Sequence, residues 1–276
     1  MKRSNFFKTL NAGLVILLVT GLIACTSRPD KSGSKEPEAS EIDTLKEKVI
    51  ENMSGYPLPT SFQITTMLNE AGAPYILSIS NPPSNAGNYF TQVEKAVNLG
   101  IYGADLSYAS TYMMKQETML YLDASKKLTD EIEISSAFNQ TYAERVESNL
   151  ENGDSLINII SDSFIDTYNY LTDNKQDKLA ILVMAGSWIE GLYITTQIAI
   201  TAADNTAVLD IILHQQSSLN KLIEIMEPIK GDENVIEISN GLNELKGHYD
   251  AIEDQMSDET FEKIVSTVES IRNKIV

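Results

Sequence analysis

Between Leu179 and Ala203 the chain reads LAILVMAGSWIEGLYITTQIAITAA, and Glu190 is the only charge in the run. A helix apolar on every side has to be surrounded, either by lipid or by other helices. Ser187, Glu190, Gln197 and the threonines Thr195, Thr196 and Thr201 oppose lipid, while Gly186 and Gly191 permit close approach by neighbouring backbone. The segment therefore reads as the buried central helix of a helical fold.

The rest of the chain from Glu41 onward supports that class, because apolar residues recur at helical spacing and strict alternation is almost absent. Ile42, Leu45, Val49 and Met53 mark a first helix that Gly55, Pro57 and Pro59 terminate. Thr60-x-x-Gln63 reads as a capping box before Ile64, Met67, Leu68 and Ala71, and Gly72 stops that helix. Asn88 to Leu128 reads as one long helix or two in line, apolar nearly all round, with Gly100 and Gly103 marking a kink or a close crossing. A helix from Ser136 to Asn152 follows, with Gly153 as its stop and Asp154 as the next N-cap. Leu156, Ile159, Ile160, Phe164, Tyr168 and Leu171 give the clearest amphipathic stripe. Helices over 206–227, 233–256 and 259–275 complete an all-α, irregular bundle of about eight helices in one domain, 41–276.

One stretch breaks the pattern. Residues 72–87, GAPYILSISNPPSNAG, hold three prolines and two glycines around Tyr75-Ile76-Leu77. So long an irregular segment is uncommon inside a helical domain. It reads as a connector pinned by Ile76, Leu77 and Ile79, with a lid or binding-site rim as the functional alternative.

Two acids stand alone in apolar surroundings. Glu190 is one; Asp105 is the other, the only charge between Ala96 and Met114. A buried carboxylate must be paired, hydrogen-bonded or protonated. The two helices can bring both acids to one interior polar site, with Tyr102, Tyr108, Tyr112, Trp188 and Tyr193 as candidate ligand-binding neighbours. Paired carboxyls are the equipment of glycoside hydrolysis, so Asp105 and Glu190 are also the candidate catalytic residues of a hydrolase. The structural alternative ties each acid to a tyrosine hydroxyl, a backbone group or Arg145.

Metal and cofactor chemistry finds little support in the residues. Asp210 and His214 share a helix face without a second ligand pair, His248 reads as a surface residue, and Asp173 to Asp177 lacks the glycine and terminal glutamate of a calcium loop. No nucleophile-elbow, zinc-protease or phosphate-loop signature occurs, and neither a metal nor a cofactor is expected.

The N-terminus addresses location. Lys2, Arg3 and Lys8 precede an apolar run from Ala12 to Ala24, and Leu22-Ile23-Ala24-Cys25 contains the only cysteine of 276 residues. These four residues resemble the lipobox of bacterial lipoproteins. The resemblance implies removal of a signal peptide, 1–24, and acylation of Cys25, which would anchor the chain to a membrane through several acyl groups. Thr26 after the cysteine implies, by the same resemblance, the outer membrane facing the periplasm. Residues 25–40, rich in Ser, Pro, Gly and charge, read as a flexible tether with a reach on the order of 20 Å.

Cleavage would leave 18 Lys and Arg against 39 Asp and Glu, a net charge of −21. Such a body repels phosphate backbones, so nucleic acid is not an expected partner. The sequence thus points to a lipid-anchored helical protein that binds a partner protein or small ligand. A glycosidase-like hydrolase and a structural envelope component are the alternatives.

Overall fold

Every residue from Ala96 to Ser110 in one helix, and from Leu182 to Leu192 in another, is buried, and these two helices are the axis of the fold. The computed structural model describes residues 58, 61–134, 140–202, 206–253 and 255–276, all within one compact unit. The leader, the tether and the helix expected through Ile42 to Met53 lie outside the described residues. In chain order the α-helices are α1 (Ser61–Glu70), α2 (Gln92–Thr111), α3 (Lys115–Glu131), α4 (Gln140–Ser148) and α5 (Gly153–Asp173). There follow α6 (Asp177–Thr201), α7 (Thr206–Leu213), α8 (Gln215–Met226), α9 (Ile236–Asp250) and α10 (Asp258–Asn273). The described residues contain no strand, and the fold is all-α.

Helices α2 and α6 meet backbone to backbone. A Cβ added at Gly100 would fall 2.0 Å from the carbonyl oxygen of Val183, and one at Gly186 would fall 1.9 Å from that of Val97. The two glycines are therefore reciprocal, each opening room for the other helix's main chain. Gly103 faces the ring of Phe164 on α5 in the same way. Length and composition would let α6 cross a membrane, but most of it is enclosed by protein. Ser187 donates to Ser61 at 3.0 Å, and Ser61 lies 3.5 Å from Ser107, so α1 is joined to both axial helices by hydroxyls.

Several boundaries differ from the sequence reading, and helix termination explains most of them. Gly72, at φ +72°, ends α1 as expected, with Ala73 N–H bonded to Leu68 O at 3.0 Å. Met113, Glu133 and Lys175 adopt the same left-handed conformation without being glycine, at φ 56°, 60° and 60°. The same six-residue bonds form behind them: Met114 to Ala109, Ile134 to Thr129 and Gln176 to Leu171. Each non-glycine cap costs on the order of 1 kcal/mol. The region read as one helix or two in line thus turns back at Tyr112–Met114, and α3 packs against α2 as a hairpin. Gly153 opens α5 instead of closing the helix before it, with Asn152 as the N-cap accepting from Ser155 N–H. The helix expected over 206–227 is divided at His214, whose Nδ1 lies 2.6 Å from the Asp210 carbonyl oxygen.

Candidate functional site

Tyr102, Asp105, Tyr108 and Tyr112 fall on one face of α2, within roughly a third of its circumference at 100° per residue. That face meets the irregular segment 72–87, whose two short 3-10 turns, Leu77–Ile79 and Pro83–Gly87, leave much of its backbone without regular partners. The side chains supply them instead. Tyr112 donates to Ala73 O at 2.9 Å; Tyr108 donates to Pro74 O at 3.3 Å and accepts from Ile76 N–H at 2.8 Å. Asp105 Oδ2 accepts from Asn81 N–H at 3.1 Å, and Tyr102 donates to Pro82 O at 2.9 Å.

As the segment advances from 73 to 82, its partners on α2 recede from 112 to 102. The segment is a strap laid along the helix in the opposite direction. Side chains reinforce it: Asn81 donates to Tyr89 Oη and accepts from Asn85, while the Tyr75 ring packs at 4.5 Å on Tyr108 and 5.6 Å on Tyr112. Of the residues expected to pin the segment, Ile79 is buried, but Leu77 is 56 % exposed. The strap is held mainly by polar groups because prolines and turns leave too few apolar side chains pointing inward.

Glu190 reaches the same site from α6. Its carboxylate takes both arms of Arg272 on α10, Nε to Oε2 at 2.7 Å and Nη2 to Oε1 at 3.0 Å. Arg272 Nη2 also donates to Ile79 O at 3.2 Å, and its guanidinium lies 4.2 Å from the Tyr193 ring centre. The partner suggested by sequence, Arg145, is elsewhere, 3.8 Å from Asp162 at the surface. Arg272 was not singled out, because it lies 82 residues from Glu190 within an ordinary amphipathic helix.

Asp105 and Glu190 are brought to one interior site, where each bears on the other's titration. Burial pushes Asp105 well above the usual carboxylate range, and the charge of Glu190 pushes the same way, against weaker pulls from Ser80, Arg272 and the Asn81 amide. Burial raises Glu190 too, but Arg272 opposes it through charge and hydrogen bonds. One cation facing two buried carboxyls is neutralised when one carboxyl keeps its proton. The geometry puts that proton on Asp105, whose Oδ1 has no donor partner, and leaves Glu190 ionised against the guanidinium. Burial also raises Tyr102, Tyr75 and Tyr121, and it pushes Tyr108 up to about 12, so these phenols stay neutral.

Trp188 is buried two residues from Glu190, with its indole N–H unpaired. Tyr193 serves as the floor beneath Arg272. A cleft of about 290 Å³ lies at the end of the strap between Asn85, Asn88, Tyr89, Glu94 and Lys274, and neither Asp105 nor Glu190 lines it. His248, read as a surface residue, is half-buried between α9 and α10, with Nε2 3.1 Å from Thr267 Oγ1. Among the described residues no three His, Cys, Asp or Glu side chains gather as a metal site would require.

Searches of protein-family models, of curated proteins and of solved structures find no match to this chain.

Proposed function

We propose that the chain is a lipid-anchored helical protein of the bacterial envelope, held through acyl groups on Cys25 and facing the periplasm. It acts by binding a partner protein or small ligand and not by catalysis. The observation that carries the non-catalytic reading is the state of the two solitary acids, both fully buried, Glu190 engaged by Arg272 and Asp105 by the strap. A glycosidase needs its two carboxyls free on either side of an open cleft, with room for a sugar and a water.

A mechanism-based glycosidase probe, an epoxide or fluorosugar that esterifies a catalytic carboxylate, tests this directly. The native protein is expected to stay unlabelled at Asp105 and Glu190, and a covalent adduct on either would overturn the reading. For the anchor, Cys25→Ser is expected to abolish acyl labelling and leave uncleaved precursor. Undiminished labelling of that variant would remove the lipoprotein assignment while leaving the binding role standing.

A further inference from the structure

The strap is fastened at its centre to an acid whose charge state the fold controls. Asn81 N–H donates to Asp105, and two residues away Ile79 O accepts from Arg272, the arginine that neutralises Glu190, so both buried acids are tied to the same short stretch of the strap. We propose that residues 73–82 form a pH-sensitive latch on α2, kept closed by a single proton held between Asp105 and Glu190. Loss of that proton sets two buried carboxylates against one guanidinium, and the strap lifts to admit water to the second charge.

The titratable groups facing Asp105 come from every side of the site. Glu190 and Tyr193 lie on α6, Arg272 on α10 with Glu269 beyond Tyr193, Tyr121 and Glu117 on α3, and Tyr75 and Tyr89 on or beside the strap. Tyr102 and Tyr108 flank it on α2 itself. Among the described residues Arg272 is the cation that bears on Asp105, and it is already bound bidentately by Glu190. The phenols titrate well above the carboxyls, so the second negative charge finds no other positive partner at the site. Other attachments, from Tyr102, Tyr108 and Tyr112, persist at all moderate pH values. Release therefore starts at the Ile79–Asn81 centre of the strap.

The sign follows from the direction of the shift. Because Asp105 is raised in the folded protein, its contribution to latch stability is fully present below the ordinary carboxylate value of about 3.9 and is lost as pH rises through its native value. Asp105→Asn reproduces the protonated acid, with an amide that donates to Glu190 and an oxygen that accepts from Asn81, and it cannot ionise.

Limited proteolysis of the full chain, scored by cleavage within 73–82 in wild type and Asp105→Asn side by side at each pH, cancels the protease's own pH profile. The wild-type to variant ratio is expected to be near one below the ordinary carboxylate value of about 3.9, to climb by up to about tenfold per pH unit between that value and the native value of Asp105, and to level off above it. A ratio that stays flat across the range would overturn the latch. Infrared difference spectra of the two folded proteins give a second readout independent of cleavage. A protonated-carboxyl carbonyl band that wild type keeps to higher pH than an ordinary carboxyl and that Asp105→Asn lacks is expected; no such band in wild type would equally overturn it.

Discussion

The ion pair Glu190–Arg272 and the ion pair Glu259–Lys263 have the same shortest distance, 2.7 Å, and very different meanings. The first lies at the α6–α10 contact with side chains 0 % and 8 % exposed; the second spans one turn on the outer face of α10, 77 % and 53 % exposed. Lys246–Asp250 on α9 and Lys230–Glu227 beyond α8 belong with the second kind. In the interior the paired groups have geometrically fixed partners and little water to replace them, so position is enforced. On the outer layer water competes for both partners, so the pairs mainly keep the helices soluble. Distance alone does not rank interactions; burial decides which ones specify the fold.

Cutting the interior pair is the strongest way to test that contrast. Arg272→Ala leaves Glu190 buried without its cation and removes a donor to the strap, and it is expected to lower unfolding free energy by about 3–5 kcal/mol in urea titrations. A loss as small as that of a surface substitution would show that water or another cation already serves Glu190. Removing one neutral hydroxyl from the strap ladder is the intermediate case. Tyr108→Phe strands Ile76 N–H and Pro74 O while keeping the ring stacked, and a loss of about 1–3 kcal/mol is expected from the same measurement. At the other extreme, Glu259→Gln breaks a bond as short as the interior one, and the urea midpoint is expected not to move beyond experimental error. A clear drop would mean that the outer layer is coupled to the core more tightly than its exposure implies.

The parts of this contrast differ in how plainly the sequence announces them. The all-α class, the axial role of residues 179–203 and the oddity of Asp105 and Glu190 all follow from local pattern, since a lone charge in an apolar helix is visible without a partner. Gly100 and Gly186 are equally visible, although only the fold shows that they face each other. Arg272 could not be found this way, because what pairs it with Glu190 is the docking of α10 on α6 and nothing in its own helix marks it.

The hairpin at Tyr112–Met114 escaped for a different reason. Its left-handed cap is a methionine, and tertiary packing of α3 on α2 outweighs the local preference for glycine there. The strap ladder did leave a trace in the sequence. Four residues with polar tips, Tyr102, Asp105, Tyr108 and Tyr112, share an arc of an otherwise apolar helix, and a proline-rich segment just upstream has peptide groups in need of partners. Those two facts read together identify the contact; read separately they suggested a binding site and a loop.

The central claim is that the interior polar side chains exist to hold the strap's backbone in place. Amide hydrogen exchange of the native full chain, read at Ile76 and Asn81 by NMR, addresses it most directly, because these are the two strap N–H groups bonded to α2 side chains. At a pH where Asp105 keeps its proton, both amides are predicted to exchange as slowly as the core amides of α2, with Tyr108→Phe releasing Ile76 first. Exchange of Ile76 and Asn81 at the rate of an unprotected loop in the wild-type protein would contradict the account.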